Sequence, residues 1–359
     1  MIFFNNDYSE GCHTAVLDLL CSTNMEQTSG YGMDPYCAEA ADIIRRLCAD
    51  PSLAVHFLVG GTQTNLTVIA AALRSHQGVL GAESAHIQVH ETGAIEATGH
   101  KVLSLPSSDG KITAAQVETA VQAHFRDEAA EHMVQPKMVY ISNPTELGTI
   151  YTKNELEAIS AVCKANGLYL FLDGARLGYG LTAADNDVTM ADLARLCDVF
   201  YIGGTKVGAL FGEAVVISNP AIAEDFRYQI KQHGGMLAKG RLLGIQFCAL
   251  LRDGVYFEIA KKANCLADQL RATLEELGYS LLVPGTTNQV FPVLPDALLE
   301  RLRNDFSFSE QQRVDASRRA VRFCTSWATT QENMDALCKA LRELSNVNKT
   351  ETISCYPVR

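Results

Sequence analysis

Apolar and polar positions along the chain follow two periods. Short runs rich in β-branched and aromatic residues recur from residue 54: AVHFLVG (54–60), HKVLSLP (100–106), KMVYIS (137–142), LYLFLD (168–173), VFYIGG (199–204) and AVVIS (214–218). Each is predicted as a strand. Stretches 62–75, 113–124 and 153–166 between them carry the spacing of amphipathic helices. Runs apolar throughout, such as LYLFLD, suit strands covered on both faces of a parallel sheet. The alternation predicts a doubly wound α/β domain, in which ligands collect at the carboxyl ends of the strands.

Beyond residue 219 the pattern changes to long helical segments, 219–233, 238–252 and 254–277. Apolar runs YSLLVP (279–284), NQVFPVLP (288–295) and VRFCTSW (321–327) follow, then a helix near 331–345 and a polar tail. The division predicted is an N-terminal arm with two helices (1–50), a large α/β domain (51–250) and a small C-terminal α+β domain (251–359). The arm is also a candidate to join the small domain.

A chain of 359 residues with 47% hydrophobic and 20% charged residues is long enough to bury its own core, and its composition is not that of a disordered or fibrous protein. Its net charge of -11 repels a phosphate backbone, so no nucleic-acid partner is expected, although a local basic pocket for a small anion is compatible with it. No apolar run approaches the ~20 residues of a membrane span, and MIFFNNDYSEG lacks the basic start of a signal peptide. The 11 cysteines are scattered without CxxC pairs or zinc-like spacing, and Cys163, Cys197 and Cys248 sit in apolar surroundings. These features predict a reduced cytoplasmic protein, so that Asn348-Lys349-Thr350 reads as a chance glycosylation match.

Three places carry candidate chemistry. Gly60-Gly61-Thr62 ends a strand and opens a helix, with Asn65 one turn on, which suits a single phosphate; a tight turn is the plainer reading. It matches neither GxGxxG nor a P-loop, which argues against a dinucleotide or ATP. Asp173 ends LYLFLD ahead of Gly174-Ala175-Arg176, either as a ligand-facing carboxylate or as a helix cap paired with Arg176. Lys206 follows Gly203-Gly204-Thr205 at the next strand tip within an apolar stretch, where an enclosed amine can form a Schiff base. Together these are the parts that pyridoxal 5'-phosphate (PLP) requires: a phosphate site, an imine-forming lysine, and a carboxylate to keep the pyridine nitrogen protonated.

The ordered set Gly61-Thr62-x-x-Asn65, His86-Ile87, Leu172-Asp173-Gly174-Ala175-Arg176, Thr205-Lys206 and Arg322-Phe323-Cys324-Thr325 resembles the threonine aldolase branch of the β-eliminating lyases. The similarity runs over nearly the whole chain, from Asn6-Asp7 and Gly30-Tyr31-Gly32 onward. It implies the fold type I architecture of PLP enzymes, with a mostly parallel seven-stranded sheet, helices on both faces and a smaller C-terminal domain. By the same resemblance Lys206 is the Schiff-base lysine, Asp173 the partner of the pyridine nitrogen, and Arg176 a neighbour of the phenolic oxygen. Gly61, Thr62 and Thr205 would hold the phosphate, and His86 would stack on the ring and is a candidate base. Arg322 would clamp the substrate carboxylate. Arg241 matches, across an alignment gap, an arginine that reaches a neighbouring subunit's phosphate, so a homodimer or homotetramer is implied.

Two positions depart from the pattern. Asn6 replaces a serine that helps bind the substrate carboxylate, and Thr145 replaces a second active-site histidine that contacts the substrate side chain. The implied reaction is cleavage of L-threonine or L-allo-threonine to glycine and an aldehyde. Elimination, racemisation, transamination and an inert PLP-binding module are its rivals. His86, His90 and Glu91 could also share a metal, but HxxxHE is not HExxH and offers no third ligand. Tyr31 reads as an interface contact or turn aromatic, and Trp327 as packing.

Overall fold

The computed structural model describes the backbone of residues 1–354 and the side chains of residues 1–345. Its centre is a seven-stranded sheet in the order Ala54–Leu58, Glu213–Ile217, Val199–Gly203, Tyr169–Asp173, Gln135–Ser142, Gln77–Ala82, Val102–Leu105. The five strands from Val199–Gly203 to Val102–Leu105 pair in parallel. Glu213–Ile217 is antiparallel to both its neighbours, one of them the edge strand Ala54–Leu58. All six predicted runs are strands within a residue or two of their expected limits.

Capping explains the crossover helices. Thr113 and Gln116 form a reciprocal capping box that opens Ala114–Arg126, and Thr152 with Glu155 does the same for Lys153–Ala165. Both helices then place an apolar stripe on the sheet, for example Leu156, Ile159 and Cys163. The chain crosses the sheet in parallel steps, so the strand tips and helix starts gather at one end.

Two groups of buried residues form. One lies around the sheet, and the other holds Phe4, Leu270, Leu274, Val321, Phe323 and Leu337. The helix Val255–Glu276 serves both: Tyr256, Ala260 and Ala263 pack on the first, and Leu266, Ala267, Leu270 and Leu274 on the second. The N-terminal arm divides likewise. Helices Thr14–Thr23 and Pro35–Leu47 join the large core, whereas Ile2–Phe3 pairs in parallel with Phe306–Ser307 of the C-terminal region.

The C-terminal region differs from its pattern in detail. YSLLVP contributes only a bridge between Leu281 and Pro292, since Pro284 and Pro292 cannot donate to a ladder. NQVFPVLP divides into Gln289–Val290 and Val293–Pro295, and 219–233 into Pro220–Ala223 and Phe226–Gln232. The strand Arg318–Cys324 overlaps the expected run 321–327 but starts three residues earlier and leaves out Thr325, Ser326 and Trp327, and the last helix runs Gln331–Ser354, past the expected end. The side chains of Asn348, Lys349 and Thr350 lie outside the described residues.

Candidate active site

A cavity of about 750 Å³ opens at the carboxyl ends of the parallel strands, and Gly60, Gly61, Thr62, His86, Asp173, Arg176, Thr205, Lys206 and Arg322 all line it. Two glycines bring its central pair together. A Cβ on Gly174 would lie 1.8 Å from the Tyr201 carbonyl oxygen, and one on Gly203 2.3 Å from that of Ala175. Only glycine permits this approach, in which the Gly203 N–H donates to the Gly174 carbonyl at 2.9 Å. The loops after Asp173 and before Lys206 are thereby held side by side.

Asp173 is buried at the strand tip. Its Oδ1 accepts from the Ala175 N–H at 2.9 Å, and its Oδ2 accepts from the Tyr140 hydroxyl and, at 3.2 Å, from Asn65 Nδ2. These bonds use three of the roughly four acceptor positions of a carboxylate, which leaves one for a ligand N–H. Burial and the Asp173 charge keep the Tyr140 phenol protonated as a donor. Arg176 does not pair with Asp173, so the capping alternative fails in that respect. It forms a two-pronged pair with Asp7, Nε to Oδ2 at 2.7 Å and Nη2 to Oδ1 at 2.9 Å, and Asn288 adds a third donor to Asp7 at 2.9 Å. Burial alone would raise the Asp7 carboxyl, but the Arg176 and Lys206 charges hold it below the usual carboxylate range.

Lys206 faces the cavity. Burial, reinforced by the Arg176 charge, lowers its ammonium pKa, while Asp7, Asp173 and Glu213 oppose the shift. A lysine so placed is a stronger nucleophile than a solvated one. Glu213 is a member that the sequence reading missed. Its carboxylate accepts from the Thr205 hydroxyl at 3.0 Å and the Gly204 N–H at 3.2 Å, and burial pushes its pKa up to about 8.

At the opposite wall, the helix Gly61–Ala72 presents its N-terminus to the cavity through Gly60 and Gly61. A Cβ on Gly60 would meet nothing within 4 Å, so the backbone there borders open space that an anion can fill. His86 Nδ1 lies 2.8 Å from Glu91 Oε1, and Asn65 Nδ2 donates to the same oxygen at 2.7 Å. One amide therefore joins the carboxylate behind His86 to the carboxylate of Asp173. Sequence reading assigns Tyr140 no role, takes Asn65 only as part of the Gly60-Gly61-Thr62 phosphate start, and takes Glu91 only as a possible metal ligand with His86 and His90; in the structure Asn65 and Glu91 instead hold Asp173 and His86. Glu146, also in the cavity, accepts from the His86 N–H at 2.9 Å and the Ser142 hydroxyl at 2.7 Å, and burial raises its pKa.

Arg322 donates from Nη1 to Gln289 at 3.2 Å and from Nη2 to the Asn5 carbonyl at 2.9 Å, while its buried Nε has no protein partner. Three expected residues stand apart. Asn6 accepts from its own turn, Tyr8 N–H at 2.9 Å and Ser9 hydroxyl at 3.0 Å, and does not line the cavity. Thr145 is buried with its hydroxyl 2.7 Å from that of Thr149. Arg241 lies in a separate hollow of about 640 Å³ and donates to the Thr23 and Glu26 carbonyls.

The donor set fits pyridoxal phosphate: open backbone at a helix N-terminus for the phosphate, a carboxylate with a free acceptor position for the pyridine nitrogen, and an amine across the same cavity. Residues 7–297 match the family model described as beta-eliminating lyase. The low specificity L-threonine aldolase of Pseudomonas sp. (strain NCIMB 10558) is 34% identical over 346 residues, which are 95% of this chain and 96% of that protein. The solved Leishmania major threonine aldolase has 48% identity and a TM-score of 0.94, with 96% of this chain and 100% of that chain covered. Thermus thermophilus aspartate aminotransferase, at 17% identity and a TM-score of 0.70 over 97% of this chain and 91% of its own, shares the fold. With the family matched over most of its length and the cofactor's contacts in one cavity, the chain belongs to the beta-eliminating lyases and is a PLP-dependent lyase of fold type I.

Proposed function

We propose that this enzyme is a threonine aldolase, which cleaves L-threonine or L-allo-threonine to glycine and an aldehyde. The observation that carries this reading is the meeting of Lys206, Asp173 and the Gly60-Gly61 helix start in one cavity with Arg322. Both the Pseudomonas and the Leishmania relatives bear the name of that activity.

In this reading Lys206 would hold the cofactor aldehyde, Asp173 its pyridine nitrogen, and Gly61, Thr62 and the Thr205 segment its phosphate. Arg176, fixed by Asp7, would approach the phenolic oxygen. When bound, pyridoxal phosphate supplies an electron sink for the carbon that becomes the glycine Cα. The chain's own groups do the rest. Arg322 binds the substrate carboxylate and so fixes the orientation of the Cα–Cβ bond. His86 would cover the ring from its place in the cavity wall. With its Nδ1–H donated to Glu91, Nε2 is left free to take a proton from the β-hydroxyl, assistance worth roughly 10²–10⁴-fold. Asn6 supports the carboxylate end only through the turn that positions Tyr8.

The two cores support a large and a small domain near residues 51–250 and 251–359, with the 1–50 arm divided between them and the helix Val255–Glu276 as the shared strut. Self-association into a dimer or tetramer is part of the same reading, with Arg241, held here by its own chain's Thr23 and Glu26 carbonyls, as the residue that would reach a neighbouring subunit's phosphate. Exposed Met25, between Asn24 and Glu26 of that hollow, supports such a contact. A cytoplasmic location fits the ten unpaired cysteines among the described residues; no described helix is long and apolar enough to cross a membrane.

The deciding experiment supplies L-threonine to purified holoenzyme and follows acetaldehyde with a coupled NADH-dependent reductase. Glycine and acetaldehyde should form in equal amounts. Release of pyruvate or ammonia from serine, with no aldehyde from threonine, would instead assign β-elimination.

A further inference from the structure

A β-hydroxyl entering this cavity needs a polar partner that is not already committed. Most of the candidates are taken. Asp173 serves Tyr140, Asn65 and Ala175; Glu213 serves Thr205 and Gly204; Glu146 serves Ser142 and the His86 N–H. Thr145 is walled off behind its own turn. The Ser84 hydroxyl lines the cavity without a partner but is buried, and His86 Nε2 is already given the role of base. His90 is an uncommitted group that stands at the exposed rim. It lines the cavity, and among the described residues its ring nitrogens bond to no protein group. Its ring centroid lies 5.7 Å from that of His86, the planes inclined at 54°.

We propose that His90 is the residue that receives the substrate's β-hydroxyl and so selects hydroxylated side chains. The inference rests on the aldolase reading above. Its position follows from the two groups that bracket it: His86, on the cofactor side, and Arg322, close enough for its charge to act on the imidazole. A substrate held by its carboxylate at Arg322 has its side chain within that span. Partial burial, together with the charges of His86 and Arg322, disfavours protonation of His90. A neutral imidazole can donate its N–H to the hydroxyl oxygen, which leaves the hydroxyl's own proton for His86 Nε2. No proton needs to be transferred for this role, which is binding and orientation.

The test compares holoenzyme carrying His90→Phe, which keeps an aromatic ring beside His86, with His90→Asn, which restores a polar side chain. Cleavage of L-threonine is measured beside the equilibrium affinity for glycine, which lacks the hydroxyl, read from the visible absorbance of the bound cofactor. His90→Phe should lower kcat/KM for L-threonine roughly 10- to 100-fold, leave the glycine affinity within about 2-fold, and shift the threonine to allo-threonine ratio. His90→Asn should recover part of the loss. Unchanged threonine cleavage in His90→Phe would overturn the proposal, as would an equal loss of threonine and glycine binding. A wild-type enzyme that binds glycine yet cleaves no β-hydroxy amino acid would remove the aldolase reading itself and this inference with it.

Discussion

The floor of the cavity and its rim are built differently. On the floor, Asp173 and Asp7 are 4% and 0% exposed, each held by three donors, and two glycines lock the neighbouring loops together. At the rim, Tyr8 is 54% exposed, and His90 and Gln311 are exposed as well. Charges on the floor are fixed before any ligand arrives and act in a water-poor setting, where they are strongest. Groups at the rim are less constrained, so they can change without unfolding the protein. This contrast separates the cofactor's chemistry from the choice of substrate.

Changes on the floor should therefore cost most. Asp7→Ala leaves the Arg176 guanidinium buried without its counter-charge, and about 3–5 kcal/mol of stability should be lost in denaturant unfolding. A change below about 1 kcal/mol would show that water reaches the pair and that the floor is no drier than the rim. Asp173→Asn keeps the shape and removes the charge. Turnover should fall roughly 10²- to 10³-fold, while the melting temperature moves little.

Glu91 stands between the two regions, buried itself but holding the side chain of His86. In Glu91→Gln the accepting oxygen can remain while the charge goes, and kcat should fall about tenfold with KM for L-threonine nearly unchanged. An equal effect on KM would place His86 with the rim.

A separate effect concerns pH. The folded Glu213 carboxyl holds its proton up to about 8, whereas an ordinary glutamate releases it near 4.5. Between those values the folded state binds the extra proton, so stability falls as pH rises. Cofactor-free wild-type protein should lose melting temperature across that window relative to Glu213→Gln; parallel curves would show Glu213 ionised like a rim carboxylate.

The same contrast governs what could be read from sequence. Strand tips such as LYLFLD and VFYIGG announce themselves because burial on both faces demands unbroken apolar runs, and Asp173 and Lys206 stand out against them. The strand Gln77–Ala82 does not, because packing requires glycine within it: a Cβ on Gly78 would lie 2.7 Å from the Lys101 carbonyl oxygen, and that glycine dilutes the β signal. Ser309–Arg313 is silent for another reason, since SEQQR is mostly exposed and pairs through its backbone with Arg318–Cys324. Glu91, Glu146 and Glu213 look like surface charges in one dimension. Only the fold reveals that they are enclosed, and why Arg176 chooses Asp7, 169 residues away, over nearby Asp173.

The central claim is that Lys206, enclosed across the cavity from Asp173, is the amine that holds the cofactor. Borohydride reduction of the holoenzyme followed by peptide mapping tests it most directly. A pyridoxyl group fixed on Lys206, and lost from the Lys206→Ala variant, is the expected result. Label on Lys239 or another lysine, or no fixed label on wild-type protein that binds the cofactor, would contradict it.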